Sequence, residues 1–123
     1  MNPLYIIRGI VQSGEKRGKD LGFPTANIPL TQDIPEGIYA ATVTIDAKVY
    51  HSATFVGSAK TFNKTDQKVE SYILDFSEDI YGRQIIVTIY KKIRDNQKFT
   101  TVEELKIQMT EDIKKIRDFF KSF

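Results

Sequence analysis

Cysteine is absent from the 123 residues, and histidine occurs once, as His51. Without thiols there is no disulfide framework and no thiolate metal site, and one imidazole excludes a multi-histidine metal centre. His51 lies in a strand-like run and is assigned no role. A surplus of charge is also missing. Eighteen Lys and Arg stand against 16 Asp and Glu, a net charge of +2, too small by itself to mark a nucleic-acid or membrane surface. No apolar run is long enough for a transmembrane helix or a signal peptide, so a cytoplasmic protein without a membrane partner is expected. What is present is ordinary for a globular chain: 41% hydrophobic and 28% charged residues, enough for one domain, residues 1–123, with its own core.

Strand signals dominate the first three quarters of the chain. Tyr5 to Gln12, Gly37 to Ile45, Val49 to Val56, Val69 to Phe76 and Gln84 to Ile93 are rich in β-branched and aromatic residues and bounded by turn residues. Asp46-Ala47 is short enough to make a hairpin, and Tyr81-Gly82-Arg83 reads as a second one. Five or six antiparallel strands leave two edges, and closure into a small barrel removes them. From Thr101 the period changes. Thr101 and Glu104 form a capping-box signature, and Val102, Leu105, Met109, Ile113, Ile116 and Phe120 recur at helical spacing. That stripe is expected to lie against the barrel.

The densest chemical signal is Gly14 to Asn27, a basic glycine-spaced loop leading into Leu21-Gly22-Phe23-Pro24-Thr25-Ala26-Asn27. Pro24 fixes its own φ and disfavours helix at Phe23, so the segment is extended; Thr25 and Asn27 then share a face, with Ala26 on the other. Gly14 and Gly18 free the backbone to turn N–H groups toward an anion, beside Lys16, Arg17 and Lys19. It is neither a P-loop, which needs four residues before Gly-Lys and then a hydroxyl where Asp20 stands, nor a dinucleotide fingerprint. The pattern suits a phosphate carrying a hard cation, and a solvated hairpin followed by a rigid turn fits the spacing equally. Glu70 poses a related question. Alternation sets it beside Tyr72, Leu74 and Phe76 on an apolar face, where it either turns to solvent, pairs with Lys60 or Lys68, or accepts a proton from a bound hydroxyl.

In order and spacing, these segments together with Gly37-Ile38-Tyr39-Ala40, Glu70 to Phe76, Asp79-Ile80-Tyr81-Gly82, Ile93-Arg94 and Lys98-Phe99 resemble the riboflavin kinase (flavokinase) family, in its ATP-using bacterial and eukaryotic type. The resemblance implies a mainly β fold, a six-stranded antiparallel Greek-key barrel with a carboxyl-terminal helix. It implies transfer of the γ-phosphoryl group of MgATP to the 5′-hydroxyl of riboflavin, giving FMN and ADP; a monomer that binds no nucleic acid is expected. By the same resemblance Glu70 is the catalytic base, and Thr25 and Asn27 hold Mg²⁺ and the nucleotide phosphates. Gly14, Gly18 and Lys19 line the phosphate loop. Ile73, Asp75 and Tyr81 contact ATP, and Arg94, Phe99, Glu104 and Met109 contact the flavin. The same family domain forms one half of bifunctional riboflavin kinase/FAD synthetases, and an excised kinase half would read as this chain does.

Three positions depart from the family pattern. Phe55 stands for an asparagine, Lys60 for a proline and Lys19 for an arginine, changes that bear on nucleotide affinity rather than on the chemistry. Two other functions fit a small barrel of this kind less well. A flavin-binding regulatory paralogue is disfavoured by the retention of Thr25, Asn27 and Glu70 together; a small barrel binding single-stranded nucleic acid is disfavoured by the near-neutral charge.

Overall fold

A computed structural model describes residues 2–12, 25–58 and 67–122. The phosphate-loop residues Gly14, Gly18 and Lys19, and Lys60, lie outside the described residues.

Six strands form one antiparallel sheet: β1 (Tyr5–Ile10), β2 (Thr25–Pro29), β3 (Gly37–Ile45), β4 (Lys48–Ser58), β5 (Gln67–Ile73) and β6 (Gln84–Arg94), in the order β1-β6-β3-β4-β5-β2. β3, β4 and β5 are consecutive neighbours and β6 returns beside β3, a Greek key. The sheet curls until its edges meet. Gln12, just past β1, bridges to Asn27 of β2, its N–H donating to the Asn27 carbonyl at 2.8 Å. This is the expected mainly β Greek-key barrel.

Alternation builds the inside of the barrel. Ile7, Ile28, Val43, Val56, Val69 and Val87 are fully buried there. The interior also holds a chain of hydroxyls, Ser52 to Thr54 at 2.7 Å and Thr54 to Ser71 at 2.8 Å, which satisfies polar groups that burial would otherwise penalise.

Helix α1 (Val102–Lys121) packs on the outer face. Thr101 caps it by accepting the Glu104 N–H at 3.1 Å, the forward bond of the capping box, whereas the Glu104 carboxylate accepts from the N–H and hydroxyl of Thr100, one residue before the N-cap. Ile116 is fully buried against Ala40 and Leu74, with Ile113 and Phe120 alongside. Val102 departs from the expected stripe: at 53% exposure it sits on the first turn, clear of the barrel.

Three further expectations change. Thr25–Pro29, read as a stiff extended segment, is a strand in its own right. β5 ends at Ile73 and not Phe76, because Asp75 takes a left-handed φ of 58°. The alternation therefore breaks, and Phe76 packs on the barrel-interior cluster with Tyr50 while Leu74 faces the helix. Tyr81-Gly82-Arg83 is a turn, but not a hairpin between β5 and β6, which are not neighbours. Its Gly82 N–H and Arg83 carbonyl bond instead to Val11, at the end of β1.

Candidate active site

Register decides where the chemistry-bearing side chains go, since residues paired across an antiparallel ladder share a face. Thr25 pairs with Tyr72 and Asn27 with Glu70 across β2 and β5; on the other side of β5, Glu70 pairs with Phe55. Phe55 pairs with Ile38, and Ile38 with Arg94. One rung thus runs Asn27, Glu70, Phe55, Ile38, Arg94 over five strands, on the outer face and opposite the packed interior. Adjacent strands lie about 4.8 Å apart, so Glu70 stands one strand from Asn27 and about 14 Å from Arg94.

At one end of the rung, Asn27 is only 5% exposed, and its Oδ1 is buried without a hydrogen-bond partner among the described residues. An unsatisfied buried carbonyl costs about 1–3 kcal/mol, which a cation or a donor from a ligand removes. Thr25 is half-buried, one alternation away on the same face. No group of three His, Asp or Glu that could hold a metal exists among the described residues. A hydroxyl and an amide oxygen suit Mg²⁺ only where phosphate oxygens and water complete its octahedron. The donor set fits the metal expected for a nucleotide. Glu70 is half-buried beside this pair.

At the other end, Arg94 donates to the Asp112 carboxylate from Nε (2.9 and 3.1 Å) and Nη2 (2.8 Å), and from Nη1 to the Asp95 carbonyl (3.0 Å). The half-buried Phe99 ring lies 5.8 Å from the guanidinium carbon. Gly37 allows this close seat. It sits at φ +157°, and a Cβ there would stand 2.8 Å from the Arg94 carbonyl oxygen. Met109 is half-buried one turn of α1 before Asp112, whereas Glu104 is exposed and engaged with Thr100 at the start of the helix.

The three residues expected at the nucleotide are more dispersed. Ile73 is 5% exposed in the barrel interior, so its side chain faces away from Glu70 and only its backbone can meet a ligand on the outer face. Asp75 accepts from Arg117 Nη1 at 3.1 Å and Nη2 at 3.2 Å, and that hydrogen bond, with the guanidinium charge, holds its carboxyl below the usual carboxylate range. Tyr81 is 64% exposed, its N–H donating to Asp79. Its turn is joined through Val11 to Gln12 and so to Asn27. Sequence reasoning missed Asp112 and Arg117, the partners of Arg94 and Asp75. An acid at position 112, inside the apolar stripe between Met109 and Ile116, was the available signal for the first.

The family model and the curated relatives point to one family. The family model described as Flavokinase, riboflavin kinase, matches residues 1–120. The chain is 37% identical to the bifunctional riboflavin kinase/FMN adenylyltransferase of Bacillus subtilis over 88% of its own length and 36% of that protein's. Among solved structures, a riboflavin kinase from Trypanosoma brucei superposes with a TM-score of 0.68 at 26% identity, covering 94% of this chain and 79% of that one. A Streptococcus pneumoniae structure described as a macrolide-efflux protein superposes with a TM-score of 0.85 at 36% identity, over 94% of this chain and 38% of that one. The chain spans from 19% to 39% of the length of the curated relatives it matches. No described helix is long and apolar enough to cross a membrane.

Proposed function

Because this chain belongs to the riboflavin kinase family, we propose that it transfers the γ-phosphoryl group of MgATP to the 5′-hydroxyl of riboflavin, giving FMN and ADP. The observation that carries the reading is the rung from Asn27 to Arg94, which sets an amide oxygen without a partner among the described residues, a carboxylate and an arginine on one face. Thr25 Oγ1 and Asn27 Oδ1 would hold Mg²⁺, which when bound neutralises phosphate charge and aligns the γ-phosphoryl group. Glu70, one strand away, orients the ribityl hydroxyl and takes its proton as the new P–O bond forms. Arg94 and Phe99 receive the isoalloxazine ring, and the spacing of about 14 Å along the sheet between Arg94 and Glu70 suits a flavin lying across the strands with its ribityl tail toward Asn27. Alignment and charge neutralisation account for most of the rate, since the transition state is loose, with the base adding about 10²–10⁴-fold.

Gly14, Gly18 and Lys19 complete the phosphate site in this reading, and the segment around Ile73, Asp75 and Tyr81 receives the nucleotide. The protein acts as a cytoplasmic monomer. Incubation with riboflavin and MgATP, followed by chromatography, tests the reaction. FMN in proportion to ADP supports it; flavin bound without product overturns it.

A further inference from the structure

We infer that Asp112 is a positioning residue for the flavin end of the site, acting through Arg94; the inference rests on the riboflavin kinase reading above. Asp112 is a buried acid between Met109 and Ile116 of the helix's apolar stripe, 2% exposed, and each carboxylate oxygen is occupied. Oδ1 accepts from Arg94 Nε and from Gln108 Nε2 at 3.0 Å, and Oδ2 from Arg94 Nε and Nη2.

A buried pair of this kind is a poor way to attach a helix. Desolvation cancels most of the attraction, and apolar residues of similar volume hold two elements together as well or better. Ile116 and its neighbours already provide that attachment. What the pair adds is direction. Asp112 fixes the Nε–Nη2 edge of the guanidinium, the Asp95 carbonyl fixes Nη1, and Phe99 lies beside the guanidinium group. Arginine has five N–H groups, and among the described residues one on each terminal nitrogen is left over. Those two lie on the side of the guanidinium away from Asp112, the edge left to an acceptor such as a flavin carbonyl. Freed from Asp112, the same side chain would sweep many rotamers and lose that edge.

The test is steady-state kinetics of FMN formation with thermal melting for Asp112→Asn and for the double variant Arg94→Met/Asp112→Leu. Asp112→Asn is expected to raise KM for riboflavin about tenfold, the value of one well-made hydrogen bond, with KM for MgATP unchanged. The double variant is expected to recover the melting temperature of the unaltered chain while its riboflavin KM stays raised. Unchanged riboflavin KM in Asp112→Asn overturns the inference, as do equal losses toward both substrates that follow the melting temperature. Wild-type riboflavin KM in the double variant overturns it as well. An unaltered chain that makes no FMN refutes the parent reading and this inference with it. An active chain with an unaffected Asp112→Asn refutes the inference alone.

Discussion

Asn27 has two roles in conflict: its amide oxygen is buried with nothing to accept from among the described residues, which weakens the empty fold, yet that same oxygen is what a hard cation needs. Replacing it by an apolar side chain of similar volume separates the two effects. Asn27→Leu is expected to leave the melting temperature without nucleotide unchanged or slightly higher, and to lower kcat/KM for MgATP by at least about 100-fold. Calorimetry and kinetics on one preparation check both. Asp75 makes a different demand. Its carboxyl is held low chiefly by the hydrogen bond from Arg117, so the pair contributes in full above the ordinary aspartate value of about 4 and is lost as pH falls through the lower folded value. The melting-temperature difference between the unaltered chain and Asp75→Asn should therefore be present at pH 7 and vanish in strong acid. It should be small throughout, because the pair is exposed. The roles given to Thr25, Asn27 and Glu70 came from the family resemblance; the strand faces they occupy were legible in the sequence because alternation is local. Asp112 and Arg117 were not, because their partners, Arg94 and Asp75, are 18 and 42 residues away.

Among the elements, the β3–β4 hairpin carries a local cost. Asp46 and Ala47 both have positive φ, 49° and 70°, the backbone of a type I′ turn, in which glycine is favoured at the second position. Ala47→Gly should stabilise the fold by about 1 kcal/mol, a rise of a few degrees in Tm, and leave FMN formation unchanged. The hairpin was readable from its two-residue connection. Tyr81-Gly82-Arg83 was readable as a turn, yet turn chemistry does not say which strands it joins, and here it pairs with Val11. β2 escaped the strand assignment because prolines flank and end it; Pro29 is accommodated as its exposed last residue. Helix α1 was predicted through its cap and stripe, apart from Val102.

At the scale of the whole molecule, the barrel brings together segments far apart in the chain. β2 and β5 meet only because the sheet order places β5 between β4 and β2, and that adjacency sets Glu70 opposite Asn27. Fold class and family could be read from composition, turn signals and ordered motifs; the five-strand rung could not, since it depends on which strands pair and in what register. The most direct test compares single-turnover FMN formation by the unaltered chain and by Glu70→Gln at saturating riboflavin and MgATP, with MgATP affinity measured in both. The account predicts a rate at least about 100-fold lower in the variant with affinity nearly unchanged. Equal rates would contradict it.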